Sequence, residues 1–69
     1  MITITEQIAA ARRELALRRN VYPKRVVALK MSQAKADHEI DAMTAIIETL
    51  RQVEAFAFPA GAQVREAGR

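Results

Sequence analysis

Cysteine is absent from this sequence of 69 residues, and histidine occurs once, at His38. The absence of cysteine excludes disulfide bonds and thiolate metal sites, and a single histidine excludes a zinc site built on several histidines. The chain also lacks a glycine-rich loop and is too short to enclose a concave pocket of about several hundred Å³. We therefore predict no catalytic residue, no cofactor and no metal site, and a protein that is not an enzyme.

Glycine, proline and aromatic residues are scarce as well, with two, two and three of them in the chain. So few turn-forming residues favour helices over a sheet with many turns, and the predicted fold class is all-α. No apolar run approaches the roughly 18 residues that a membrane span needs. The first residues, MITITEQ, lack the basic and apolar stretches of a signal peptide. We expect a soluble, cytoplasmic protein without a membrane partner.

Capping signals and apolar spacing predict an antiparallel helical hairpin. Thr3 and Glu6 have the spacing of a capping box, with Thr5 as the competing cap, so a first helix is expected over about residues 3–20. This helix should end there because the residue before a proline, here Pro23, is disfavoured in the α region. The following residues should then reverse the direction of the chain.

The segment after the first helix is predicted to be a short helical elbow, which we define as residues 21–31. Pro23 suits the first residue of a helix, and the apolar spacing after it predicts a short helix over about residues 23–30. Ser32 is the expected N-cap of a long helix over about residues 33–55. The elbow would therefore connect the two long helices of the hairpin.

Helical periodicity is lost after the long helix. Residues 56–69 contain Pro59 and Gly61 and show no apolar stripe, which predicts a flexible C-terminal tail. The hairpin domain is accordingly predicted over residues 1–55.

The apolar positions of the long helix cover a wider arc than one neighbouring helix needs. At about 100° per residue they span roughly 160°, against roughly 100° for a helix that faces a single neighbour. The first helix offers only a narrow stripe in return, because Ala11 at its middle is small. We therefore predict a coiled-coil-like hairpin that assembles into a helical bundle as a homo-oligomer, with a dimer favoured. The predicted oligomer interface consists of Ile40, Met43, Ile46, Ile47, Leu50 and Val53.

Positive and negative charges are separated along the chain. Eight of the eleven Lys and Arg residues lie in residues 12–35 with one acidic residue, while residues 36–54 hold five acidic residues and one basic residue. An antiparallel hairpin brings these two halves together, so we expect them to pair with each other. Glu39 lies within the apolar arc and needs a partner, since burying an unpaired charge is costly. The expected partner of Glu39 is Arg18, Arg19 or the hydroxyl of Tyr22.

The alternative is that the basic elbow binds nucleic acid, because clustered cations release counterions from it. Residues 26–40 loosely resemble a helix-turn-helix unit, in which Gln33 and Lys35 would point towards bases. The turn of this unit contains no glycine, and the acidic residues Asp37 and Glu39 would repel phosphate. The candidate nucleic-acid contacts are Arg18, Arg19, Lys24, Arg25, Lys30 and Lys35.

Two motifs resemble a known group of proteins. They are Arg18-Arg19-x-x-Tyr22-Pro23-x-x-Val26 with Lys30-Met31, and Ala36-x-x-Glu39-Ile40-x-x-Met43-x-Ala45-Ile46 with Leu50. Together they resemble small uncharacterised proteins encoded by bacteriophages and prophages of proteobacteria, which look like short helical hairpins with an RR-x-x-YP elbow. The resemblance covers about residues 12–50. Leu29 differs from the pattern, which has a glycine there, and a leucine favours a more continuous helical path through the elbow.

The resemblance implies a phage-related protein in the cytoplasm of a bacterial host, and it brings no activity with it. Taken with the wide apolar arc, it leads us to predict a small non-enzymatic protein that acts through protein–protein contacts as an oligomeric helical module. The expected partners are a second copy of the chain and other phage or host proteins. Nucleic acid is the alternative partner.

Overall fold

Two α-helices pack against each other in the computed structural model, which describes residues 1–57. α1 spans Ile4–Val27 and α2 spans Gln33–Ala57, and no strand occurs in the described residues. The predicted all-α class is therefore confirmed. Neither helix has the length and apolar content that a membrane-spanning helix needs.

Side-chain contacts at both ends of the hairpin show that the helices are antiparallel. Near the open end, the Thr5 hydroxyl donates a hydrogen bond to the Glu54 carboxylate at 3.2 Å. Near the turn, the Arg18 guanidinium donates to the backbone carbonyl of Glu39 at 2.8 Å. The start of α1 thus lies beside the end of α2, and the predicted helical hairpin is confirmed.

The first turn of α1 is closed by the capping box predicted from Thr3 and Glu6. The Glu6 amide donates to the Thr3 hydroxyl at 3.1 Å, and the Thr3 amide donates to the Glu6 carboxylate at 2.8 Å. These reciprocal bonds satisfy two of the amides that a helix start leaves without an intrahelical partner. Thr3, rather than the competing Thr5, is therefore the cap.

Pro23 lies inside α1, so the predicted helix boundary near it and the separate short helix over about residues 23–30 are wrong. A proline within a helix loses the hydrogen bond to the carbonyl four residues earlier and crowds it, at a cost of about 3 kcal/mol. Continuing the helix keeps Tyr22 and Val26 on the apolar stripe of α1, where both are half-buried. A rule based on the neighbours of proline considers the local cost alone and leaves out this contribution from burial.

The chain leaves α1 through a turn in which Leu29 has a φ of 62°. The Lys30 amide donates to the Arg25 carbonyl at 2.9 Å, and the Leu29 amide donates to the Val26 carbonyl at 3.0 Å. This pair of bonds is a Schellman motif, whose left-handed position is usually glycine. The expectation that Leu29 makes the helical path more continuous is therefore wrong, because the leucine takes up the conformation of a glycine and ends the helix.

Ser32 caps α2 as predicted. The Lys35 amide donates to the Ser32 hydroxyl at 3.0 Å, which satisfies a free amide of the first turn. At its other end the helix reaches Ala57, the last described residue, so the helix continues past the predicted end at about residue 55. The rest of the predicted tail lies outside the described residues.

The hydrophobic seam between α1 and α2 is thin. Its centre is a cluster of Ala11, Met43 and Ile47, against which Leu15 and Leu50 pack. No large side chain in the described part of the chain has an exposed fraction below 2%. A seam of this size leaves a short chain with little apolar burial to stabilise it.

Candidate interaction surfaces

Arg18 joins the two helices next to the turn. Its Nε donates to the Glu14 carboxylate at 2.9 Å, and its guanidinium lies 3.7 Å from the Glu39 carboxylate on α2. The same guanidinium lies 6.0 Å from the centre of the Tyr22 ring, within the range of a cation–π contact. Arg18 is therefore the partner of Glu39, as one of the sequence-based alternatives predicted. Lys35 makes a second ion pair with Glu39 at 3.8 Å.

The pKa of Arg18 is raised above its ordinary value. The largest cause is the hydrogen bond from its guanidinium to the Glu14 carboxylate, and the negative charges of nearby groups add to it. Partial removal from water acts in the opposite direction but is the weaker effect. The shift therefore favours the charged form of Arg18, the form that pairs with the two carboxylates.

The residues of the predicted oligomer interface divide into two groups. Met43 and Ile47 are buried in the seam, and Ile40 and Leu50 are half-buried. The other two residues of the predicted interface remain largely open to solvent, with exposed fractions of 47% for Ile46 and 49% for Val53. The hairpin itself therefore covers part of the predicted interface, and only Ile46 and Val53 are open enough to meet a second chain.

Ile46 and Val53 belong to a largely exposed stripe on α2, in which only Ala42 is half-buried, and we call it the second stripe. Its members follow one another at spacings of four, three, four and three residues, the alternation typical of a coiled-coil seam. The second stripe consists of Ala42, Ile46, Thr49, Val53 and Phe56. Helix α2 therefore carries two seams, one against α1 and one without a partner in the described structure.

A groove between α1 and α2 lies on a different side of the hairpin from the second stripe, and we call it the arginine groove. It has a volume of about 320 Å³ and is lined by Arg12, Leu15, Ala16, Arg19, Ile47 and Arg51. Val53 follows Arg51 by two residues and therefore points roughly 160° away from it around α2. The second stripe and the arginine groove thus lie on different faces of the molecule.

The six residues proposed as nucleic-acid contacts also divide into two groups. Arg18 and Lys35 are engaged in ion pairs with acidic residues of the hairpin. The remaining four have no carboxylate within 4.0 Å among residues 1–57, and they are Arg19, Lys24, Arg25 and Lys30. The predicted mutual neutralisation of the basic and acidic halves is therefore only partial.

The geometry of the hairpin differs from that of a helix-turn-helix unit. In such a unit two helices cross at a large angle, so that the second helix can enter the major groove. Here α1 and α2 contact each other from Thr5 and Glu54 at one end to Arg18 and Glu39 at the other. The start of α2 is therefore packed along α1 instead of projecting from it.

Sequence reasoning missed the arginine groove because its residues come from both helices. In the charge pattern of the sequence, Arg51 is the one basic residue of an acidic segment, and Arg12 is one of the eight basic residues of the other half. One signal was present: Arg12 and Arg19 are seven residues apart and so lie on the same side of a helix. Arg51 lies on the other helix, so its position beside them depends on how α1 and α2 are aligned in the hairpin, which the sequence pattern does not give.

Comparisons with family models, with curated proteins and with solved structures found no match to this chain. Within residues 1–57, no group of three or more histidine or acidic side chains is arranged to hold a metal ion. The second stripe and the arginine groove are therefore the candidate interaction surfaces of the described residues.

Proposed function

We propose that this chain is a non-enzymatic helical module that acts through protein–protein contacts, with a second copy of itself as its first partner. The observation that carries this proposal is the second stripe, an apolar seam at coiled-coil spacing that α1 does not cover. A helix with two such seams suits a bundle of more than two helices. Two hairpins meeting through the second stripe would form a four-helix bundle.

The thin seam of the hairpin supports the same proposal. Small folds without disulfide bonds or metal ions need another source of stability, and oligomerisation is the common one. The chain has no cysteine, and none of its large side chains in residues 1–57 is fully buried. If a second hairpin packs on the second stripe, the apolar residues of α2 are buried on two sides, against α1 and against the second copy.

The expected strength of this association is low. Covering the exposed half of Ile46 or Val53 contributes about 1 kcal/mol for each side chain, or about 4 kcal/mol for the four in a dimer. Ala42 and Phe56 would add apolar area, while association costs several kcal/mol in lost motion. These opposing contributions are of similar size, so we expect a weak dimer that forms only at high protein concentration.

The proposal is tested with the variant Ile46→Lys/Val53→Lys, which places two charges in the second stripe. Lysine at these positions leaves the hairpin seam intact but makes a dimer bury four charges, which is strongly unfavourable. Light scattering should show the variant at the mass of one chain, 7.7 kDa, at concentrations where the unaltered protein is larger.

The matched control is Leu17→Lys, which replaces another apolar side chain with an exposed fraction of 54%. Leu17 follows Leu15 by two residues and so points roughly 160° away from it around α1, on the far side of the hairpin. This variant should keep the mass of the unaltered protein. An equal loss of mass in both variants would contradict the assignment of the interface to the second stripe.

The phage-related origin, with its implied location in a bacterial cytoplasm, stays a prediction of the resemblance. It is consistent with a small module whose partners are other proteins of the phage or its host. A pull-down from infected or lysogenic cells with the unaltered protein tests it. Recovery of phage proteins supports the origin, and their absence from specific captures counts against it.

Nucleic-acid binding remains the second candidate, and one observation favours it. Arg19, Lys24, Arg25 and Lys30 are close together in sequence and have no carboxylate partner in the described residues. This candidate predicts binding to duplex DNA that weakens steeply with salt. Reversing the charge of these four residues should abolish the binding, and no binding of the unaltered protein at low salt would exclude the candidate.

A further inference from the structure

The arginine groove combines three positive charges with an apolar floor. Arg12, Arg19 and Arg51 line it, and none of them has a carboxylate within 4.0 Å or a side-chain hydrogen bond among residues 1–57. Leu15, Ala16 and Ile47 supply its apolar lining. By contrast, the neighbouring Arg18 has two carboxylates and a backbone carbonyl as partners.

Three guanidinium groups around one groove favour an anionic occupant. A guanidinium presents a planar fork of donors that binds a carboxylate through two parallel hydrogen bonds. The three groups repel one another, so an occupant with negative charges also removes that repulsion. The groove is therefore complementary in charge to an acidic ligand.

The apolar floor restricts the kind of anion. Leu15 and Ala16 lie between Arg12 and Arg19 on α1, and Ile47 faces them from α2. An occupant gains most if it places an apolar side chain on this floor between its negative groups. A sugar–phosphate backbone has no such side chain, whereas a protein segment with acidic and apolar residues has one.

We infer that the arginine groove binds an acidic amphipathic helix of a protein partner. Arg12 and Arg19 are seven residues, or roughly 10 Å, apart along α1. A partner helix that runs antiparallel to α1 matches this spacing with the pattern Glu-x-x-x-Leu-x-x-Glu. Its two carboxylates meet the two arginines, its leucine lies on the floor, and Arg51 closes the groove from α2.

This site is separate from the surface proposed for self-association. Ile46 precedes Arg51 by five residues and so points roughly 140° away from it around α2. A dimer formed through the second stripe therefore leaves the arginine groove open. The failure of either surface would leave the argument for the other unchanged.

The inference is tested with a labelled synthetic peptide that repeats the Glu-x-x-x-Leu-x-x-Glu pattern over four helical turns. Fluorescence anisotropy should show binding at low salt that weakens as salt is added. A peptide with glutamine in place of each glutamate should bind at least about tenfold more weakly, since it lacks the charge-assisted bonds. Failure of the full-length protein to bind the acidic peptide at low salt overturns the inference.

The variant Arg12→Gln/Arg19→Gln/Arg51→Gln should weaken peptide binding by more than about tenfold. The side chains of these three residues are exposed and make no hydrogen bond within residues 1–57, so the helix content measured by circular dichroism should not change. The matched control, Arg13→Gln/Lys24→Gln/Lys30→Gln, removes the same charge outside the groove. Equal weakening in the two variants would show general attraction between charges and overturn the inference.

Two further measurements identify a different occupant. In the first measurement, a short duplex DNA is added to the complex of protein and peptide. If the DNA displaces the peptide, and if it binds the control variant but not the groove variant, the groove is a phosphate site and the inference is wrong. If the groove variant lowers the mass of the protein without added peptide, the groove holds a second copy, and the inference is again wrong. Peptide-induced changes in the amide spectra of Leu15, Ala16 and Ile47, without either result, support it.

Discussion

Ile46 and Ile47 are neighbours of identical chemistry in α2, and their surroundings differ greatly. Ile47 has an exposed fraction of 9% and packs against α1, whereas Ile46 has an exposed fraction of 47%. The cause lies in the opposite helix, whose stripe is narrow at Ala11 and cannot cover the whole apolar arc of α2. The comparison shows that one partner helix accounts for the covered side of α2 and leaves the side with the second stripe open.

The largest expected effect separates these two isoleucines. Ile47→Ala removes a buried side chain from the thin seam and should lower the free energy of unfolding by about 2–4 kcal/mol. Ile46→Ala should change it by less than about 1 kcal/mol when the protein is measured at a concentration too low for association. Urea unfolding followed by circular dichroism measures both values. Equal losses would contradict the division of α2 into a covered and an open side.

A second comparison applies the same division to adjacent arginines of α1. Arg18→Gln removes contacts with Glu14 and Glu39 and should lower the melting temperature clearly. Arg19→Gln removes the same charge from the open side of the hairpin, and its melting temperature should stay close to that of the unaltered protein. Thermal unfolding at low salt measures the pair. A greater loss for Arg19→Gln would contradict the observed network.

The raised pKa of Arg18 also predicts how its contribution depends on pH. A folded-state pKa above the unfolded value means that the stabilisation is complete below the unfolded pKa and is lost only as the pH rises through the folded one. The difference in melting temperature between the unaltered protein and Arg18→Gln should therefore not decline between about pH 7 and pH 10. A decline in this interval would contradict the assignment.

The smallest expected effect concerns the turn at Leu29 that connects α1 to α2. Leu29→Gly relieves the left-handed conformation of a leucine and should raise the free energy of unfolding by about 1 kcal/mol. Leu29→Ala, which keeps the steric penalty, should leave it nearly unchanged. Neither substitution touches the second stripe, so the mass in solution should stay the same. A loss of stability in Leu29→Gly would contradict the reading of this turn as a Schellman motif.

Features that depend on a few neighbouring residues could be predicted from the sequence. The caps at Thr3 and Ser32 each join a hydroxyl to an amide three residues away, and both are present as predicted. The predicted start of α2 at about residue 33 is likewise confirmed. In these cases the partner of each group lies within its own helix.

Features that depend on the other helix could not be predicted in the same way. Local preference predicts a break near Pro23, but the helix continues through it, with Tyr22 and Val26 half-buried on its apolar stripe. Likewise, no local pattern unites Arg12 with Arg51, which meet only in the register of the folded hairpin. The prediction for Leu29 was wrong for a related reason. Leucine is disfavoured in the left-handed conformation, so the sequence favoured a continued helix, yet Leu29 adopts that conformation in the folded hairpin.

The most direct test of the central claim is the mass of the unaltered protein as a function of concentration, measured by sedimentation equilibrium. If the second stripe is a seam for a second copy, the mass should rise from 7.7 kDa in dilute solution towards twice that value at high micromolar concentration. In the variant Ile46→Lys/Val53→Lys the rise should disappear. A mass that stays at 7.7 kDa for the unaltered protein over the whole range would contradict the claim.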